Sequence, residues 1–209
     1  MRLSLVIPCK DINDPKLKEL LASIEAQDFN KDELETLIIT EGTSESAKAI
    51  GIRCAKGEVI GILASDNELT WKNALSSSYK MASEYSTSAP SVYHYKSSDD
   101  VLNRYFSLIG GNDVLSFYMR KNDKWSYAGD RGNPRGSIGD NGFFCKRELL
   151  LKTDLDNYYH VDNAIEACGE VEYSVMDIRH KTGGNIFHIY AKRYRYGLQQ
   201  PFNKNRRWH

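Results

Sequence analysis

At 209 residues the chain can bury a sizeable core, as one large domain or a domain with an appendage. Lysines plus arginines number 28, as do aspartates plus glutamates, a balance that argues against a nucleic-acid partner or an acidic tail. Cys9, Cys54, Cys145 and Cys168 form no CxxC pair and read as reduced thiols of a cytosolic protein, and no apolar run approaches membrane-span length, so the chain is expected to be soluble.

In chain order, Leu3 to Pro8 reads as a buried first strand. Asp14 and Pro15 make an N-cap and first-turn pair, and Leu17, Leu20, Leu21 and Ile24 then mark one face of an amphipathic helix. Leu34 to Thr40 reads as a second strand, followed by Glu41-Gly42-Thr43-Ser44 and a short helix carrying Ala47, Ile50, Gly51 and Cys54. Val59 to Leu63 is a third, uniformly apolar strand, as expected for a sheet covered on both faces. Strand, helix, strand, helix, strand within some sixty residues implies right-handed crossovers and a parallel sheet. A helix is expected after Thr70, through Tyr85, a fourth strand at Ser91 to Tyr95, an apolar run at Phe143-Phe144-Cys145 before a helix from Lys146, another helix around Val161 to Cys168, and a strand from Glu170 ending at His180. The stretch from Asp99 to Gly142 is irregular and holds Tyr105, Phe106, Phe117, Tyr118, Trp125 and Tyr127. Most of these rings read as ordinary packing, and the loop as the place for substrate-shaping variation. Residues 1–198 read as one domain and 199–209 as a basic, aromatic tail.

The third strand is the organising one because the chain turns acidic at its end, in Asp66-Asn67-Glu68. Ligands of open α/β sheets bind at the carboxyl ends of strands, so Asp66 and Glu68 stand where a metal or a phosphate-bearing ligand is expected. A solvated loop with a helix cap is the plainer alternative.

The ordered run LSLVIPCKD, LASIEAQ and LIITEGTSESAKAIGIRCAKGEVIGILASDNE resembles the family 2 inverting glycosyltransferases. The resemblance extends from residue 3 to about 195. It implies an α/β fold of the GT-A type, a three-layer sandwich with a mostly parallel central sheet and helices on both faces. It also implies transfer from a nucleotide-diphospho-sugar of UDP or GDP type to a glycan or lipid-linked acceptor, assisted by magnesium or manganese. By that resemblance Asp66 is the last aspartate of the D-x-D metal motif, whose first position is here Ala64. Glu41 is the second member of the acidic pair that contacts the nucleotide, the first being Thr40. Lys48 stands near the diphosphate, and both Lys48 and Glu41 read as residues of exposed turns. Asp140 and Asn141 lie on the acceptor side, as does His160. Asp162 matches the catalytic base, with Val161 in place of the usual glutamate, and His180 a late histidine of the metal or diphosphate site.

These types suit the chemistry. A carboxylate opposite the leaving group deprotonates the acceptor hydroxyl, a contribution of about 10²–10⁴-fold. Cationic charge stabilises the departing diphosphate. Two other readings compete: a non-catalytic sugar- or lipid-binding module on a transferase scaffold, suggested by Ala64 and Val161, and a nucleotidyltransferase that makes the nucleotide sugar. The latter calls for a glycine-rich phosphate loop after the first strand, where the chain has Cys9-Lys10-Asp11. From Ile186 onward, rings interleave with Lys192, Arg193, Arg195, Lys204, Arg206 and Arg207, a pattern expected at the inner face of a membrane and equally compatible with a solvated basic tail.

Overall fold

Along the first strand, β1 (Leu3–Pro8), alternate side chains take opposite faces of the sheet. Leu3, Leu5 and Ile7 enter one apolar cluster and Val6 enters another. The computed structural model describes residues 1–108, 124–126, 142–153, 155, 170–180, 187, 190, 191 and 194. The expected helix around Val161 to Cys168, the residues Phe117, Tyr118 and Tyr127, and the tail 199–209 lie outside them.

The early elements follow the local signals closely. Helix α1 (Pro15–Glu25) starts where expected, with the Asp14 carboxylate accepting from the Lys16 amide at 2.9 Å. Its Leu17, Leu20 and Ile24 are buried, each contributing about 1.5–3 kcal/mol relative to exposure. Strand β2 (Leu34–Ile39), helix α2 (Ser44–Cys54) and strand β3 (Val59–Ile62) complete two crossovers, and β1 pairs in parallel with both β2 and β3.

Beyond β3 the topology departs from a simple parallel progression. A three-residue strand, β4 (Asn67–Leu69), precedes helix α3 (Ala74–Tyr85) and strand β5 (Thr87–Tyr93), which begins four residues earlier than its sequence pattern suggests. Helix α4 (Val101–Leu108), strand β6 (Lys124–Ser126), strand β7 (Phe143–Lys146), helix α5 (Arg147–Leu150) and strand β8 (Glu170–His180) follow. The sheet order is β2-β1-β3-β7-β5-β8-β4, with β6 also on β8. Strands β1, β2, β3, β5 and β8 run one way, while β4, β6 and β7 oppose them. The sheet is therefore mostly parallel. Pro90, which cannot donate to a ladder, lies where β7 no longer pairs with β5 and beside a bulge against β8.

Helices cover both faces. Leu17 and Leu20 of α1 and Leu75 and Ala82 of α3 share a core with Leu5, Val59 and Phe144. Ala49 and Ile52 of α2 and Leu150 of α5 share the other with Val6, Ile60, Ile62 and Phe143. Strand β7 thus contributes to both layers.

Gly61 of β3 is opposite Phe144 of β7 in the antiparallel register. A Cβ at Gly61 would fall 2.5 Å from Phe144 Cε1 and 2.9 Å from Leu5 Cδ2, so the ring occupies the space a side chain would need. Gly61→Ala is expected to destabilise the protein by about 1–3 kcal/mol through overpacking. Adding Phe144→Leu should recover part of that loss, whereas Phe144→Leu alone should cost stability. Urea unfolding of the three variants gives the coupling; simple additivity would show that the two side chains do not compete for one space.

Candidate functional site

The parallel registers bring the carboxyl ends of three strands to one edge. Val6 pairs with Ile62 and Pro8 with Ile39, and the ladders continue through Leu63 N–H to Val6 O at 3.1 Å and Cys9 N–H to Ile39 O at 2.9 Å. The loops bearing Glu41 and Asp66 leave from this edge. Strand β8 runs the same way, and its last residue, His180, is opposite Asn67 in the β4–β8 register. The backbone of His180 therefore lies beside the turn that carries Asp66.

That turn is built by a buried amide. The Asn67 N–H donates to Ala64 O, and Asn67 Oδ1 accepts from the Ala64 N–H, both at 2.9 Å. Asn67 is fully buried, so the turn is pinned from beneath and Asp66, at its third position, is half-buried. Asp66 does not cap a helix: the chain enters β4 directly, and α3 starts only at Ala74.

Gly142 brings a second segment to the same place. Its N–H donates to Ile62 O at 2.9 Å, and its φ of +80° is a conformation that favours glycine. Gly142 therefore sits at the carboxyl end of β3. Asp140, Asn141, His160 and Asp162 themselves lie outside the described residues.

Glu41 is exposed, between the end of β2 and Thr43, the N-cap of α2. Thr43 and Ser46 form a reciprocal capping box, with Thr43 N–H donating to Ser46 Oγ at 2.7 Å. The expectation that Lys48 sits on an exposed turn is corrected. It lies within α2, 4% exposed, with its Nζ 2.6 Å from Glu45 Oε1. Burying the aliphatic stem against the sheet requires a carboxylate at the head, and Glu45 provides one a turn earlier.

Glu68, expected near a metal or phosphate, is committed elsewhere. Arg179, 7% exposed on β8, donates from Nη1 to Glu68 Oε2 and from Nη2 to Asp99 Oδ1, while its Nε reaches Asp99 Oδ2 at 2.9 Å. Lys96 closes the cluster, with Nζ 2.7 Å from Glu68 Oε1 and its amide 2.8 Å from Asp99 Oδ2. Hydrogen bonds from Arg179 hold the Asp99 carboxyl below its ordinary range. Burial pushes the Glu68 carboxyl up, but hydrogen bonds from Lys96 and Arg179 outweigh it and leave the value lowered. The hydrogen bond to Asp99 raises Arg179. This cluster ties β4, the 96–99 segment and β8 together directly behind Asp66 and His180. Sequence reading did not find it, since its members are far apart in the chain.

Among the described residues, no group of three or more His, Cys, Asp or Glu side chains could hold a metal ion. A hard divalent ion keeps several waters and takes other ligands from phosphate oxygens, so the lack of such a group is not by itself a bar to magnesium or manganese.

This arrangement is an α/β sandwich of the GT-A type, with its loops gathered at the carboxyl edge of the sheet. No known family's sequence profile matches the chain, and no curated protein matches it. Solved structures do. A mannosyltransferase, PcManGT from Pyrobaculum calidifontis, in complex with GDP-Man and Mn2+, superposes with a TM-score of 0.61 at 16% identity, over 97% of this chain and 63% of that one. S. aureus TarS 1-349 in complex with UDP-GlcNAc gives 0.59 at 14% identity, over 89% of this chain and 62% of that one. Longer S. aureus TarS gives 0.58 at 14% identity, over 83% and 35%. The chain thus spans less than two thirds of each of these proteins, and the likeness is one of fold.

Removing Arg179 takes from the half-buried Glu68 and Asp99 the guanidinium they share and leaves only Lys96 beside them. Arg179→Met is expected to cost about 3–5 kcal/mol near neutral pH. The sign with pH follows from the shifts. With folded values lowered, the wild-type contribution is complete above the unfolded carboxylate value of about 4 and drains away as pH falls below it. In the variant the guanidinium's share of that lowering is gone, so less stability is lost to acid than in the wild type. Thermal melts between pH 3 and 7 should show the gap between the two proteins narrowing toward pH 3. A constant gap would show that the cluster contributes by packing alone.

Proposed function

We propose that this chain transfers a sugar, with inversion, from a nucleotide-diphospho-sugar of UDP or GDP type to a hydroxyl of a glycan or lipid-linked acceptor. The observation that carries the reading is the convergence at one edge of the sheet. The ends of β2 and β3, the Asp66 turn, the backbone of His180 and Gly142, whose N–H reaches Ile62 O, all meet there. The fold shared with structures holding UDP-GlcNAc or GDP-Man supports it.

In this reading Glu41, exposed at the end of β2, faces the base or ribose. Lys48, buried in α2 and paired with Glu45, adds positive charge at that helix's first turns instead of reaching out from a loop. Asp66, with His180 alongside, would hold magnesium or manganese, which when bound neutralises charge on the leaving diphosphate. Asp140, Asn141 and His160 line the acceptor side. Asp162 takes the proton from the acceptor hydroxyl as the sugar carbon is attacked from the face opposite the diphosphate. The reading places the enzyme in the cytosol, at the inner face of a membrane.

Release of UDP or GDP from a panel of nucleotide sugars, with Mn2+ or Mg2+, tests the activity. Asp66→Asn is expected to weaken metal-dependent nucleotide binding at least tenfold in calorimetry without lowering the melting temperature by more than a few degrees. Unchanged affinity would remove Asp66 from the site. Asp162→Asn is expected to reduce transfer by at least 10²-fold while donor affinity stays within about threefold. Wild-type turnover would leave Asp162 a structural residue. Retained sugar binding by the native protein without turnover of any donor would make the chain a non-catalytic binding module.

A further inference from the structure

The four charges of the Arg179 cluster are unequally placed. The side chains of Asp99, Arg179 and Glu68 are 5%, 9% and 17% exposed, whereas that of Lys96 is 54% exposed. The carboxylates and the guanidinium lie inward and the ammonium outward. A cluster of two positive and two negative groups thus turns its positive end to solvent.

Lys96 is also held at both its backbone and its head. Its backbone N–H donates to Asp99 Oδ2 at 2.8 Å and its Nζ to Glu68 Oε1 at 2.7 Å. An ammonium carries three donors. Among the described residues Glu68 is its one acceptor, which leaves two N–H groups for an incoming anion. A cation fixed in advance loses little conformational freedom when it binds one.

Its position indicates which anion. Tyr93, the last residue of β5, is opposite Ile178 in the parallel β5–β8 register, two residues before His180. The segment bearing Lys96 therefore leaves the sheet at the carboxyl edge. Glu68, which holds the ammonium, is two residues from Asp66, at most about 7 Å between Cα atoms. Lys48, expected from sequence to serve the diphosphate, is 4% exposed and paired with Glu45 within α2. Lys96 has the exposure that Lys48 lacks.

We infer that the Lys96 ammonium, preset by Glu68 and Asp99, binds a phosphate oxygen of the donor's diphosphate and stabilises it as the leaving group. The inference rests on the glycosyl-transfer reading and adds to it a cation for the departing charge. As the acceptor oxygen bonds the sugar carbon and gives its proton to the base, the bond from that carbon to the diphosphate breaks. The electron pair stays on the phosphate oxygen. Lys96 gives up no proton and meets the added charge with its free N–H groups.

Calorimetry of UDP and GDP with Mn2+, beside uridine and guanosine, is the test. Lys96→Met is expected to weaken binding of the diphosphate that the wild type takes by roughly tenfold or more, while nucleoside binding stays unchanged. Lys96→Arg, which keeps the charge, should recover most of the loss. Lys80→Met removes an exposed lysine of α3 that lines a groove with Arg2, at the opposite edge of the sheet, and should have no effect. In turnover, kcat of Lys96→Met should fall as well, because the charge develops in the transition state. Since Lys96 is exposed, its loss should move the melting temperature by no more than about 4 °C. Should the methionine variant fold poorly, Lys96→Gln serves in its place and should show the same loss. Equal diphosphate affinity in the wild type and the folded variant would overturn this inference and leave the glycosyl-transfer reading standing. Binding of neither nucleotide by the wild type would overturn both. A defect confined to the KM of the acceptor would also overturn it, moving Lys96 to the acceptor side.

Discussion

The packing of the Phe144 ring into the space left by Gly61 is the contact on which the two halves of the sheet depend. On one side lie β2, β1 and β3, wound by local crossovers; on the other lie β5, β8 and β4, with β6 at their edge. Among the described residues, β7 is the only strand that pairs with both. Its side chains alternate into both cores, Phe143 and Cys145 to one face and Phe144 to the other. A residue larger than glycine at position 61 would push that bridge away from its partner, and with it the register that sets Gly142 against Ile62. The placement of Gly142 at the end of β3 is thus a consequence of packing in the middle of the sheet.

The first third of the molecule was legible in its sequence because its signals are local. Asp14, Pro15 and the leucine spacing specify α1 within a residue, and uniform apolarity marks β3 as buried on both faces. The direction of β7 was not legible. Phe143-Phe144-Cys145 reads as an apolar strand in either orientation, and only its distant partners β3 and β5 decide that it opposes them. The same reason hid β4, three residues long and visible only through its pairing with β8. Of the candidate site, Asp66 was legible from its place at a strand end, whereas the turn that fixes it depends on the buried Asn67. Glu68 looked equivalent to Asp66 in sequence; alternation along β4 and the presence of Arg179 gave it a different role.

Burying Arg179 with two carboxylates is not an efficient route to stability, since well-packed apolar residues would often serve as well. What such a cluster provides is a defined geometry: a planar guanidinium accepts partners only along its fork. Here the fork joins β4 to the 96–99 segment from a residue adjacent to His180. The polar face of the molecule is therefore organised by a small number of directional contacts, and the apolar layers by volume.

The position of β7 in the chain has a consequence for biosynthesis. Strand β3 is complete at Ile62, yet the strand that covers its open edge begins about 80 residues later. At 5–20 residues per second that edge, Val59-Ile60-Gly61-Ile62, waits roughly 4–16 seconds on the ribosome with its backbone donors and acceptors unsatisfied. Short, β-branched and uncharged, it is a template for the same segment of a neighbouring nascent chain. Crowded polysomes would bring such edges together, so the yield of folded protein should depend on how densely ribosomes load the message.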